Sequence, residues 1–167
     1  MNMASPRKPR ETLAPDPNGG HFEPHLPNID YGVLDSLIGY AIRRAQIRVY
    51  EDFVASLAAW NITPPRFSAL QIIARNPDLK LTDLAQILGI ARSGAVLLVN
   101  ALEAMGLVKR LPSPTDRRAF GLALTDAGRK TLKQVTAAVC AHDARIAAGL
   151  SADEQIVLKG LLEKLGR

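Results

Sequence analysis

The stretch LTDLAQILGIARSGAVLLVN, residues 81–100, decides how the rest of the chain is read. A helix-turn-helix needs a small residue where its two helices approach and a glycine in the turn that tolerates positive φ. Ala85 and Gly89 meet both demands, four positions apart. Leu84, Leu88, Ile90, Ala95 and Leu98 fall where two such helices must pack on a core. The predicted elements are helices over 81–88 and 92–105, joined at Gly89-Ile90. An ordinary helical hairpin is the competing account, and agreement at all seven of these positions favours the helix-turn-helix.

Downstream, VKRL (108–111) and FGLAL (120–124) have strand character, and PSPTDRRA between them is rich in turn residues. A hairpin directly after a helix-turn-helix makes a winged helix, with Asp116, Arg117 and Arg118 at the wing tip. Arginine suits a narrow, electronegative minor groove while the preceding helix occupies the major groove. Asp116 is short and wrongly charged for phosphate, and its expected task is to orient an arginine through a charge-assisted hydrogen bond. On the helix before the wing, Ser93, Val96, Leu97 and Asn100 form the outward face, with Arg92 near its start. Serine and asparagine can bond base edges, and valine or leucine can meet thymine methyls.

Upstream, apolar residues recur at steps of three and four from Leu34 to Phe53, which predicts one long amphipathic helix over 31–60. Thr63-Pro64-Pro65 is a helix start, predicting a helix over 64–75 that buries Phe67, Leu70, Ile73 and Ala74. Thr125 opens a helix over 126–148, and Ser151 with Glu154 has capping-box spacing for a last one. The expected fold is mainly α with a small β-hairpin wing: a winged helix-turn-helix over 63–125, with 31–62 and 126–167 forming a dimerisation region. The winged helix is too small to cover the apolar faces of those helices, so a homodimer is expected. Two-fold symmetry would set its recognition helices about 34 Å apart, one turn of DNA.

Six of the eleven prolines lie in residues 1–30, which lack apolar periodicity and are expected to be a flexible tail. Arg7, Lys8 and Arg10 there are outnumbered by Glu11, Asp16, Glu23 and Asp30, so the formal charge of +5 originates in residues 31–167. A basic folded part suits double-stranded DNA. The longest uncharged run, Phe53–Pro65, is 13 residues against the roughly 20 that span a membrane. No signal-like apolar segment opens the chain, and a cytoplasmic protein without membrane association is expected.

The combination of residues 81–100, DRR, then LTDAG (124–128), with one long helix before and two after, resembles the MarR family of transcriptional regulators. The resemblance covers residues 31–167. It implies an obligate dimer on a pseudo-palindromic operator, a repressor released by a small ligand, with Arg118 as the wing arginine in the minor groove. Leu97 stands where the family often carries arginine, which shifts weight toward phosphate contacts and DNA shape.

Arg43, Arg44 and Arg48 cluster on the long helix, and arginines on a rigid helix are pre-organised for phosphate. A surface network in which Glu51 and Asp52 neutralise Arg48 is the plainer account. The segment YAIRRAQIRVYEDF (40–53) resembles that of the hydroxycinnamoyl-CoA-responsive branch of the family. That implies an aryl-CoA effector such as p-coumaroyl-CoA, with phosphates on Arg43, Arg44 and Arg48 and the acyl group among Tyr40, Trp60 and Phe67. Plain core and dimer packing is the alternative for these aromatics. A free phenolic acid, or an oxidant acting through Cys140, is the alternative signal. Cys140 lies between Val139 and Ala141 and is expected to be a buried, inert thiol. No nucleophile–base spacing, phosphate loop or metal-ligand cluster is present, so neither enzyme nor cofactor is expected.

Overall fold

The computed structural model describes residues 26–112 and 120–166. The chain divides into two compact units between Glu51 and Asp52, within the first long helix.

In the first unit the single helix expected from residue 31 is broken. A 3-10 turn, Gly32–Ser36, comes first, Leu37 is extended, and α1 begins at Ile38 and runs to Leu57. Polar side chains make the break. The Asp30 carboxylate accepts from the Gly32 amide at 2.8 Å, and the Ser36 hydroxyl donates to the Val33 carbonyl at 2.8 Å. Such local bonds compete with the helical ladder.

The second unit starts with the last turns of α1 and a short 3-10 turn, Ala58–Trp60, ended by Asn61 in the left-handed conformation. Next come α2 (Pro64–Arg75), β1 (Leu79–Lys80), α3 (Leu81–Ile87), α4 (Arg92–Ala104), β2 (Val108–Pro112), β3 (Phe120–Leu124), α5 (Asp126–Ile146) and α6 (Ala152–Lys164). The hairpin β2–β3 is antiparallel, from Val108 opposite Leu124 to Pro112 opposite Phe120. The two-residue β1, which the sequence pattern does not announce, pairs with the other edge of β3, giving the order β1-β3-β2.

Among the described residues Leu57, Leu70, Leu84, Leu102, Leu122, Val99 and Val135 are the largest fully buried side chains, so each of α1 to α5 and β3 contributes at least one. In α2, Leu70 and Ile73 are buried as expected, but Ala69 takes the place given to Ala74, which is exposed; Phe67 is only partly buried. Ile90, expected in the core, is 38% exposed because it lies in the turn rather than on either helix. Thr63 occupies the N-cap of α2 without making a side-chain bond; Pro64 and Pro65 fill the first positions.

The LTDAG segment has a mechanical explanation. The Thr125 hydroxyl donates to the Gly106 carbonyl at 2.6 Å and accepts from the Gly128 amide at 2.9 Å, capping α5 and tying it to the end of α4. A Cβ on Gly128 would lie 2.0 Å from the Leu107 carbonyl oxygen, so only glycine lets α5 approach. α6 carries the expected capping box between Ser151 and Glu154, yet it has no buried residue. Among the described residues no single helix is long and apolar enough to cross a membrane.

Candidate nucleic-acid interface

Helices α3 and α4 meet at 109°, within the range of about 90–120° for a helix-turn-helix. Gly89 sits between them at φ 63°, and the Ile90 amide bonds to the Ala85 carbonyl at 3.0 Å, closing the turn. Ala85 is buried where the helices approach. Ala95, Val99 and Leu102 are fully buried on one face of α4, which anchors that helix and fixes which face is turned outward.

Arg92, Ser93, Leu97 and Asn100 are exposed, and Val96 is half-buried. Leu97 is 70% exposed in the middle of the helix, an apolar side chain that the described residues leave uncovered. Asn100 is held: Arg110 Nη2 donates to its Oδ1 at 2.8 Å, and the same guanidinium forms an ion pair with Glu103 through Nη1. The sequence reading missed this clasp. Its trace is a basic residue on the strand after α4 and an amide and a carboxylate three apart on the helix. Asp116, Arg117 and Arg118 lie outside the described residues.

The effector residues fall in both units. On α1, the Arg44 guanidinium carbon lies 4.8 Å from the centroid of the Tyr40 ring and pairs with Asp35 at 3.6 Å. Arg43 turns to Gln46 at 3.1 Å, and Arg48 is exposed. In the second unit, Trp60 and Phe67 pack against the core. A cavity of about 660 Å³ lies between α2, the sheet and α5, floored by Ile73, Leu122 and Leu132 and rimmed by Arg75, Arg129 and Lys133. None of the six expected effector residues lines it.

Asp52, one of the two carboxylates that the plainer account set beside Arg48, is engaged within the second unit. Asp52 Oδ2 accepts from His142 Nδ1 at 2.5 Å and from Arg145 at 3.0 Å, while Arg145 also reaches Ser56. His142 is only 4% exposed and meets the Phe53 ring edge-on. The hydrogen bond from His142, with the Arg145 contacts adding to it, holds the Asp52 carboxyl below the usual carboxylate range. Cys140 is exposed rather than buried, because Val135, Ala138, Val139 and His142 take the inward side of α5.

A bent helix pair followed by a hairpin that joins a three-stranded sheet defines the class, a winged-helix regulator. The model of the MarR family matches residues 60–119. A putative transcriptional regulatory protein for the hcr operon of Thauera aromatica is 36% identical over 143 residues, 85% of this chain and 86% of that protein. The structure of the transcriptional repressor CouR bound to a 23-mer DNA duplex is 40% identical, with a TM-score of 0.79, and covers 83% of this chain and 99% of that one. CouR bound to p-coumaroyl-CoA is 38% identical at a TM-score of 0.77, with 83% and 98% covered. The chain belongs to the MarR family of transcriptional regulators. It is a regulator, not an enzyme.

Proposed function

We propose that the chain is a cytoplasmic, homodimeric repressor that binds a pseudo-palindromic operator in double-stranded DNA and is released by an aromatic acyl-CoA thioester of the p-coumaroyl-CoA type. Each protomer lays α4 in the major groove with Ser93, Val96, Leu97 and Asn100 toward the bases and Arg92 near the phosphates. Arg117 and Arg118 enter the adjacent minor groove, oriented by Asp116. CouR in its DNA complex and CouR with p-coumaroyl-CoA each match 83% of the chain, and this is the observation that carries the reading. Dimerisation draws support from α6, whose Ile156, Val157, Leu161 and Leu162 are exposed, and from the exposed Val33, Leu37 and Ile38 of the first unit.

The effector's phosphates engage Arg43, Arg44 and Arg48, of which Arg44 is already stacked on Tyr40, while Tyr40, Trp60 and Phe67 receive the acyl group. Bound effector selects a dimer whose lobes no longer match the operator spacing. Thermal unfolding with p-coumaroyl-CoA, free p-coumaric acid and free CoA tests the assignment. A ligand at 100 times its Kd adds about 2.7 kcal/mol of stability. A shift with the thioester alone is expected, reduced in Arg44→Ala and Arg48→Ala. No shift with any CoA compound overturns it.

A second reading, a free phenolic acid as the signal, is favoured by the 660 Å³ cavity with its apolar floor and cationic rim. A shift with p-coumaric acid but not with its thioester would select it. The exposed thiol of Cys140 gives an oxidant signal its own test, in which peroxide-dependent operator release abolished by Cys140→Ser would select it.

A further inference from the structure

The clasp on Asn100 determines what that side chain can recognise. Arg110 extends from β2 over the C-terminal half of α4 and spans two residues three apart on the helix, Asn100 through Nη2 and Glu103 through Nη1. The Arg110 and Glu103 side chains are 34% and 27% exposed, so both are partly sheltered from water. Arginine has only N–H donors, so the Asn100 atom facing it must be the carbonyl oxygen, whichever way an unconstrained amide would turn. The amide nitrogen, with its two N–H donors, is the end left over.

An asparagine that reads adenine sets oxygen and nitrogen side by side against the base, accepting from N6 and donating to N7. Arg110 takes one of the two lone pairs of the Asn100 oxygen and holds that oxygen toward the strand, so Asn100 meets a base with its amide nitrogen. That nitrogen is a donor suited to N7 of either purine and to O6 of guanine or O4 of thymine, whereas the N6 amino group of adenine, itself a donor, meets it unfavourably. We infer that Arg110 is a positioning residue that makes Asn100 a donor-only reader, so that its operator position selects a keto base over adenine. Glu103 holds the fork in place and neutralises it, so Arg110 serves this purpose rather than phosphate attraction. The inference rests on α4 lying in the major groove as proposed above.

Selection of duplexes from a randomised pool by the full-length protein tests it, with Asn100→Ala identifying the base-pair column that Asn100 reads. The wild type is expected to enrich guanine or thymine in that column. Arg110→Met keeps the aliphatic stem but frees the amide. It should reduce the keto preference about tenfold, the scale of one good base contact, and admit adenine, with the other columns unchanged. Arg110→Lys, which is also only a donor, should retain the preference, and Glu103→Gln, which loosens the fork, should weaken it. A purely structural role for Arg110 would instead lower enrichment in all columns together. An unchanged column in Arg110→Met alongside a flattened one in Asn100→Ala overturns the inference while leaving the DNA-binding function standing. If Asn100→Ala alters no column, Asn100 faces no base and the inference fails. If the wild type enriches no sequence, the proposed function itself fails.

Discussion

Residues 64–125 and α6 have similar proportions of apolar residues but dispose of them in opposite ways. Each helix of the winged helix sends fully buried side chains inward: Ala69 and Leu70 from α2, Leu84 from α3, and Ala95, Val99 and Leu102 from α4. α6 buries none, and its Ile156 is 70% exposed. A 13-residue helix is near the length at which isolated helices are marginal in water, about 12–15 residues. The winged helix therefore closes its core together with the end of α1 and with α5, whereas the apolar side chains of α6 are left uncovered by the described residues. Under the proposed function the first reads bases and the second serves assembly, a division the following experiments test.

The largest expected effect comes from denying α6 its cover. Replacing Leu158 and Leu161 by glutamate places charges on the exposed apolar face. A dimer gains about 10²–10⁴-fold in avidity from engaging two half-sites, so the double variant should lose operator affinity on that scale. Sedimentation should show monomers, and amide exchange should still protect α2 to α4. Undiminished affinity with a dimer persisting would place the assembly surface elsewhere.

Leu84→Ala attacks the other side of the contrast. It empties a fully buried site and should cost about 2–5 kcal/mol. Measured by urea unfolding, that loss should be independent of protein concentration. Ile156→Ala should instead make the midpoint fall as the protein is diluted, since only association is weakened. If both losses scale with concentration, the core of the winged helix does not close within one chain.

The contrast also explains what the sequence disclosed. Gly89, Ala85 and the apolar spacing of α3 and α4 are local demands of one turn and one core, so the helix-turn-helix was legible in twenty residues. The hairpin strands were legible for the same reason, while β1, two residues paired through β3, carries too little pattern to be seen. The clasp of Arg110 on Asn100 and the Asp52–His142 pair were not legible. They join residues 10 and 90 positions apart, and nothing in the local sequence of either partner announces the other. The residues expected to meet an effector are the least legible, since Tyr40, Arg43, Arg44 and Arg48 belong to one unit and Trp60 and Phe67 to the other, and they share no local pattern.

The Asp52 cluster joins the last turns of α1 to α5 within the second unit, and its effect is smaller than that of a core leucine. Asp52→Ala leaves the His142 ring nitrogen buried without its acceptor, which costs roughly 1–3 kcal/mol. Because the folded-state pKa of Asp52 is lowered, its ionisation stabilises the fold fully above the unfolded value of about 4. That part is lost as pH falls through the depressed folded value. The wild type should therefore lose stability over this acid window more steeply than Asp52→Ala, read as urea midpoints between neutral pH and pH ~3. Parallel acid limbs would show that the carboxylate is not held by the cluster.

Ser151→Ala makes the smallest and most discriminating change. The Ser151 hydroxyl accepts from the Glu154 amide at 3.3 Å, while the Glu154 carboxylate accepts from the Ser151 amide at 2.8 Å. Losing such a cap costs about 1 kcal/mol of helix stability. In a helix packed into its own core that loss would appear in the unfolding of the whole domain. α6 has no buried residue, so the loss should appear first as weaker association, with the dimer dissociation constant rising about fivefold and the monomer's unfolding midpoint unmoved. The bond to Ser151 also lowers the pKa of Glu154, so its half of the box is complete above the ordinary carboxylate range and fails as pH drops through the depressed value. Dimerisation should then weaken over that acid window in the wild type, whereas Glu154→Gln, whose amide has no charge to lose, should show a shallower dependence. A monomer midpoint that falls with Ser151→Ala would mean that α6 is held by its own chain, and the division between reading and assembly would have to be redrawn.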